Sequence, residues 1–470
     1  MSETNRNLVT IDDLSNGEIE ALFCLADDIL DSISEQSGVC RGKIMASLFF
    51  EPSTRTRLSF EAAMHRLGGS VISAVDIGAT SLAKGESIAD MAKVVGSYAD
   101  IIVIRHPWEG AAKVVADYAG IPVINAGDGG HEHPTQTLCD LYTIKKERQT
   151  IQGLKIALWG DLKHGRTINS LIYALARFGA TILFRPGPGL EMPEYVLKRL
   201  TTEYNGELKR YKALDQEAKE GVFPLDAIYT TPSSPHQLAM LPDISVQIEL
   251  QAGIDALYVT RLQKERRSPI EEGQEPKDAY PVVDKKLLKG KEFKETLIMH
   301  PLPRVDELPC EVDADPRSMY FKQAAYGMPI RMALLAFLLK DKEITIPEEG
   351  DYFTHKIDYH SYKRDSGVKC PNTNCVSNQE TESRYIKPEF KIVSLEPLTL
   401  RCVYCEHELH PQYIASSDWH EGKLEHKKYH SADSRWLRRI KAENLIIFDS
   451  DNEALAWGFK PSDYVTPRNR

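Results

Sequence analysis

Ser53-Thr54-Arg55-Thr56-Arg57 stands between the apolar run KIMASLFF and a stretch that carries Phe60, Ala63, Met64 and Leu67 at helical spacing before Gly68-Gly69. The first run predicts a buried strand and the second a helix. The hydroxyls and arginines therefore fall at a helix N-terminus, where unpaired N–H groups and the positive end of the helix dipole favour an anion. Ser and Thr hydroxyls and an Arg fork add donors suited to phosphate oxygens. The plainer alternative is an N-cap followed by solvated arginines.

Five more polar residues have the same kind of address. Arg105 ends IIVIR, His133 follows IPVIN, Arg166 follows KIALWG, Arg261 follows DALYVT, and His300 ends LIMH. Ligands of open α/β sheets bind outside the carboxyl ends of the strands, so this joint placement predicts one cleft. Its expected lining is Arg55, Arg105, Arg166, Arg261, Lys84, His133 and Gln136, with hydroxyls from Ser53, Thr54 and Thr56. Such a set suits small polyanions. The sequence carries no Walker loop, no G-x-G-x-x-G after a strand, and no evident Ser-His-Asp or Cys-His constellation. The chemistry expected is positioning of two substrates and stabilisation of developing charge.

A second chemistry lies further along. Cys370, Cys375, Cys402 and Cys405 form C-x4-C, a 26-residue gap and C-x2-C, which can offer four thiolates to one tetrahedral zinc. A four-thiolate site leaves no open position, so the metal is expected to be structural, one zinc per chain. Cys24, Cys40, Cys139 and Cys310 have no ligand spacing and read as free thiols in a reducing compartment.

The elements that must position these residues alternate strand and helix. A helix announced by the capping box Ser15-x-x-Glu18 precedes the KIMASLFF strand. SVISAV, a helix near SIADMAKVVGSYA, IIVIR, IPVIN and a helix opened by Pro134 follow it. From about Gly153 the alternation begins again with KIALWG, TILF, LDAIYT, DALYVT and TLIMH. The fold class expected is α/β, two doubly wound parallel-sheet domains followed by a small β-rich zinc domain and a small α+β tail. The chain has 470 residues, 42% hydrophobic and 27% charged, with a formal net charge of -10. That balance argues against general nucleic-acid binding while allowing a local cationic pocket. The N-terminal residues lack an apolar targeting core, and the run MALLAFLL is far too short to span a bilayer, so a cytoplasmic protein without membrane contact is expected.

FFEPSTRTRLSFE, SLAKGE, IRHPWEG, HPTQTLCDLYT, LKHGRT, YVTRLQKER and HPLPRVDE together closely resemble the catalytic chains of bacterial aspartate carbamoyltransferases, over roughly residues 5 to 340. The resemblance implies that Ser53, Thr54, Arg55, Thr56, Arg105, His133 and Gln136 hold carbamoyl phosphate, all but His133 at its phosphate group. Thr56, Arg105 and His133 would point at the carbamoyl oxygen, and the catalytic set is Arg55, Thr56, Arg105 and His133. L-aspartate would go to Lys84, Arg166, Arg261 and Gln263, with the backbone of Leu302 near the reacting groups. Ser81 and Lys84 would lie on a loop that reaches a neighbouring subunit's site, which implies a homotrimer. Glu51 would pair across the cleft with Arg166 and Arg266 to hold the closed state. No organic cofactor is implied. Ornithine-using relatives carry H-C-L-P where this chain has His300-Pro301-Leu302-Pro303, and Arg261 would repel ornithine's ammonium. Two readings stand beside aspartate carbamoylation: transfer to another amine, and a non-catalytic anion-binding scaffold of the same fold.

Beyond Lys340 the stretch 341–365 reads as a polar linker, and KCPNTNCVSNQE to LRCVYCEHEL resembles the zinc domain of the regulatory chain in the same family. Nucleic-acid binding is the alternative for such a ribbon. The tail distantly resembles a small zinc-binding module of the DNA-repair protein Ada, with Ser434, Ser462 and Val465 where ligands would stand and only His430 retained. The plainer expectation is a docking element with Trp436, Ile440, Phe448 and Trp457 as core. The domains expected are 1–145 for carbamoyl phosphate, 146–310 for aspartate, 311–340 as the closing helix, 341–365 as linker, 366–412 for zinc and 413–470 as the tail.

Overall fold

Mostly apolar runs are what strands buried on both faces require, and the middle strands of both sheets have them, with Ser47 as a buried polar residue within IMASLF. The computed structural model describes residues 6–204, 211–213, 225–231, 254–261, 282–339, 346, 357–363, 367–380, 385–417 and 427–462, apart from 77, 79, 164 and 188. By its contacts the chain divides into two units, Met1–Pro107 with Val115–Lys356, and Trp108–Val114 with Ile357–Arg470.

The first unit begins with α1 (Asn16–Asp31), whose start carries the expected box: Ser15 accepts from the Glu18 N–H and Glu18 reaches back to Ser15. Then come β1 (Ile44–Phe49), α2 (Thr54–Arg66), β2 (Ser70–Val75), α3 (Ile88–Gly96), β3 (Ile101–His106), α4 (Ala111–Tyr118), β4 (Val123–Asp128) and α5 (Pro134–Arg148). The four strands form a parallel sheet in the order β2-β1-β3-β4. From β1 the chain moves outward to β2, and from β3 it moves the other way to β4. The crevice between the carboxyl ends of β1 and β3 is therefore a topological switch point, with Phe49 and Arg105 paired across it.

The second sheet is built from β5 (Lys155–Gly160), α6 (Arg166–Arg177), β6 (Thr181–Pro186), α7 (Glu194–Glu203), β7 (Tyr211–Ala213), β8 (Ala227–Thr231), β9 (Ala256–Val259) and β10 (Leu297–Met299). Its order is β10-β9-β8-β5-β6-β7, all parallel. α8 (Tyr320–Leu338) then returns to pack on α1, α2 and α5. One core runs through both sheets' neighbourhoods, from Leu22 and Phe23 of α1 through Tyr142 of α5 and Leu171 of α6 to Leu334 of α8.

In the second unit β11 (His360–Tyr362), α9 (Val376–Gln379), β12 (Phe390–Leu395), β13 (Leu398–Cys402) and β14 (Glu408–Leu409) make an antiparallel sheet with one short helix. β15 (Tyr413–Ser416), β16 (Lys428–Ser431), β17 (Leu445–Phe448), α10 (Asp451–Ala456) and β18 (Lys460–Pro461) follow, with a mixed sheet in the order β17-β15-β16-β18. The tail's core differs from the expected one. Phe448 is buried with Tyr429, Ile446, Ala454 and Phe459, whereas Trp457 is 42% exposed and touches Phe448 only edge-on. Trp457 sits at the C-cap of α10, where the helix ends before the ring can turn inward. Trp436 stacks on His430, and Ile440 is half-buried. Among the described residues no helix is long and apolar enough to cross a membrane.

Candidate active site and metal centre

The cleft at the carboxyl ends of the two sheets has a volume of about 850 Å³. Each of its walls starts from a strand end. After β1 the chain turns through Glu51-Pro52 into α2, whose N-cap Ser53 makes no side-chain capping bond. Its hydroxyl and the first-turn N–H groups of Thr54, Arg55 and Thr56 are thus left to the cleft. Arg105, 7% exposed at the end of β3, donates Nη2 to Glu51 Oε1 at 2.8 Å and Nη1 to the Ala126 carbonyl at 3.4 Å. His133 caps α5, and its N–H donates to Ser170 Oγ of α6 at 2.8 Å, which ties the first domain's cleft wall to the second domain. Gln136 lies one turn on. From the second sheet, Thr260 and Arg261 follow β9, and His300 to Pro303 follow β10.

Electrostatics favour an anion here. Burial, and then the charge of Arg261, lower the proton affinity of Arg55, because the two cations share a desolvated space. His300 is neutral: burial lowers its proton affinity, and the Leu302 N–H donates to Nδ1 at 2.8 Å, so Nε2 carries the proton and donates to Glu307 at 2.9 Å. That pair braces a loop in which Leu302 has φ 56°, a left-handed conformation that costs a non-glycine residue about 1–3 kcal/mol.

The cleft thus gathers Glu51, Ser53, Thr54, Arg55, Thr56, Arg105, His133, Gln136, Arg261 and Leu302 of the expected residues. Lys84 is not among its lining residues; it is exposed at the end of the short turn Ser81–Lys84. Arg166 opens α6 as expected, but its side chain, like all of Gln263 and Arg266, lies outside the described residues. Glu51 is bonded to Arg105 of its own domain, and its expected pairing with Arg166 and Arg266 involves side chains outside the described residues. Sequence reasoning missed Gln323 and Arg331 of α8 and the buried Asp140 beneath them. One signal was present: a carboxylate four residues after Gln136 lies on the same helix face.

In the second unit, Cys370 and Cys375 stand on the loop before α9, Cys402 ends β13, and Cys405 lies in the turn to β14. All four are buried and their sulfurs lie within 4.8 Å of one another, with Cys370 to Cys405 at 3.4 Å and Cys375 to Cys402 at 3.8 Å. Four sulfurs on a tetrahedron with Zn–S of about 2.3 Å would stand about 3.8 Å apart, so the donor set and its spacing fit a metal ion.

Comparison with known proteins agrees with this geometry. The chain is 46% identical over 339 residues to the aspartate carbamoyltransferase catalytic subunit of Thermoplasma acidophilum, covering 72% of this chain and 99% of that one. The chain belongs to the aspartate carbamoyltransferase family. The catalytic subunit of Clostridium perfringens is 44% identical over 337 residues, 71% of this chain and 98% of its own. Residues 6–146 match the carbamoyl-P binding domain of aspartate/ornithine carbamoyltransferases and 236–338 match the Asp/Orn binding domain. Residues 365–415 match the metal binding domain of the aspartate carbamoyltransferase regulatory chain. Among solved structures, the catalytic subunit of M. jannaschii aspartate transcarbamoylase superposes with a TM-score of 0.56 at 41% identity, over 72% of this chain and 98% of that one. The Trypanosoma cruzi aspartate transcarbamoylase in complex with carbamoyl phosphate and aspartate has a TM-score of 0.57 at 37% identity, over 71% and 96%. An aspartate carbamoyltransferase catalytic region of pyrimidine synthesis is therefore followed, in one chain, by a regulatory-type metal domain with a buried four-cysteine cluster.

Proposed function

We propose that the cleft binds carbamoyl phosphate at the α2 N-terminus and L-aspartate beside Arg261, and joins them without a covalent enzyme intermediate. The observation that supports this is the crowding of Arg55, Arg105 and Arg261 at the carboxyl ends of two parallel sheets, beside the hydroxyls of Ser53, Thr54 and Thr56 and the side chains of His133 and Gln136. Ser53, Thr54, Arg55, Thr56 and Arg105 take the phosphate; Thr56, Arg105 and His133 donate to the carbamoyl oxygen; Gln136, expected at the phosphate, has its Nε2 bonded to Asp140 and turns its Oε1 to the carbamoyl NH2 instead. The aspartate amine attacks the carbamoyl carbon, a C–N bond forms, and the C–O bond to phosphate breaks as the amine passes its proton to the departing phosphate. Charge that builds on the carbamoyl oxygen is met by donors already in place. Arg166, Arg261, Gln263 and Lys84 serve the aspartate carboxylates, the Leu302 backbone lies at the reacting groups, and Glu51 with Arg266 steadies the closed state. Replacement His133→Ala tests this: the maximal rate should fall about 10²–10³-fold with little change in substrate affinity.

A homotrimer with shared sites fits the exposed Leu58, Ile72 and Val75 on α2 and the edge strand β2, which present apolar surface on the domain that carries Lys84. Zinc held by Cys370, Cys375, Cys402 and Cys405 is proposed as the structural metal, supplying cross-links to a domain with little core of its own. The boundaries proposed are 1–145, 146–310, 311–340, 341–365, 366–412 and 413–470, and the compartment is the reducing cytoplasm, where the remaining thiols stay free.

A further inference from the structure

Beneath the cleft one carboxylate joins three elements. Asp140, 1% exposed, follows Gln136 by one turn of α5. Its Oδ1 accepts from Gln136 Nε2 at 2.8 Å and from Gln323 Nε2 of α8 at 2.8 Å, and its Oδ2 accepts from the Tyr258 hydroxyl of β9 at 2.9 Å. Gln323 continues the path, because its Oε1 accepts the His300 N–H at 3.0 Å, and His300 Nδ1 in turn accepts the Leu302 N–H. Hydrogen bonds thus run unbroken from Gln136, on the carbamoyl phosphate side, to the Leu302 loop on the other. Arg331 faces the same carboxylate. A β-carbon at Gly327 would stand 2.2 Å from the Arg331 guanidinium, so a glycine inside α8 is what lets Arg331 fold back along its own helix.

We propose that Asp140 is a positioning residue that aims the Gln136 amide at the carbamoyl group and couples that aim to the His300–Leu302 loop. The inference rests on the carbamoyl phosphate reading above. A side-chain amide can present either end, but a carboxylate only accepts. Gln136 must therefore turn Nε2 inward, which leaves Oε1 to accept from the carbamoyl NH2. Gln323 must do the same, which leaves its Oε1 for His300. One charge sets the sense of two amides. When Asp140 takes a proton it becomes a donor, and one of its three partners must turn over or lose its bond.

Burial raises the proton affinity of Asp140, while the bonds from Gln136, Gln323 and Tyr258 and the charge of Arg331 oppose the rise, leaving it at about 7. The groups that face it are Gln136 and Cys139 from α5, Tyr229 from β8, Tyr258 from β9, and Gln323 and Arg331 from α8. Cys139, Tyr229 and Tyr258 are all pushed up, away from the range in which Asp140 titrates.

The test is calorimetric titration of carbamoyl phosphate into the full chain across neutral pH. The parent's affinity should rise as pH passes about 7. Asp140→Asn should bind like the parent at high pH but without the pH dependence, because the Asn carbonyl still accepts from both glutamines and its NH2 turns to the Tyr258 oxygen. Asp140→Leu should bind roughly tenfold more weakly. In a Gln136→Ala background it should add nothing further, which loss of general packing would not mimic. Full affinity in Asp140→Leu, additive losses with Gln136→Ala, or an unaltered pH dependence in Asp140→Asn would each overturn the inference; should Asp140→Leu not fold, the Asp140→Asn profile still decides it. A parent that binds carbamoyl phosphate but does not carbamoylate aspartate would count against the proposed reaction alone, and a parent that does not bind it would overturn both.

Discussion

Glu51 Oε1 accepts a hydrogen bond from Arg105 Nη2 at 2.8 Å, and the two residues stand at the carboxyl ends of adjacent strands, one just past β1 and the other at the end of β3. The carboxylate holds one of the cleft's cations in a fixed orientation. A hydrogen bond between charged groups contributes about 1.5–3 kcal/mol, so Glu51→Ala should lower kcat/KM for aspartate by roughly 10–100-fold. Steady-state kinetics check this, and an unchanged kcat/KM would show that the pair does nothing for catalysis.

Arg55 and Arg261 share the cleft but should fail differently. The proposed reaction puts Arg55 at the phosphate whose departing charge must be stabilised, so Arg55→Ala should lower kcat by about 10³-fold or more. In the same proposal Arg261 grips a carboxylate remote from the bond being made, so Arg261→Ala should act mainly on the aspartate KM, raising it about 10–100-fold. An unaltered aspartate KM in Arg261→Ala would remove that residue from the aspartate site.

Much of this arrangement was legible because a strand end is a local feature. The apolar runs that predict β1, β3, β4, β9 and β10 also say where each run stops, and Arg55, Arg105, His133, Arg261 and His300 stand at or shortly after those stops. The four cysteines were legible for a similar reason, since ligand spacing is a property of the chain. Asp140 was not. Periodicity places it on one face with Gln136, Thr137, Thr143 and Ile144, but Gln323, which bonds it, lies 183 positions away, and no local pattern reports which distant element will cover a face. Glu51 shows the same limit: its strand end was evident, its bond to Arg105 was not. For Trp457, hydrophobicity alone suggested a core position, and the end of α10 leaves the ring at the surface instead.

The buried carboxyl of Asp140 also makes a stability prediction. Its proton affinity in the folded chain is about 7 against an ordinary 3.8, so between those values the folded state holds a proton that the unfolded state has lost. Stability contributed by this group must fall as pH rises through that window and level off above it. The melting temperature of Asp140→Asn relative to the parent should accordingly climb from acid toward neutral pH. A constant difference would mean that Asp140 titrates normally.

Metal content gives a separate check on the second unit. Elemental analysis should find about one zinc per chain, lost when Cys402→Ser and Cys405→Ser are combined, with the domain unfolding as a binding energy on the order of 10 kcal/mol is removed. Zinc retained by the double variant would overturn the four-cysteine site.

The central claim is that this cleft, with Arg261 at its aspartate side, carbamoylates aspartate. Carbamoylation measured in parallel with aspartate and ornithine, each with carbamoyl phosphate, tests it most directly. The account predicts turnover with aspartate and none above background with ornithine, whose side-chain ammonium would face Arg261 in place of a carboxylate. Turnover with ornithine and none with aspartate would contradict it.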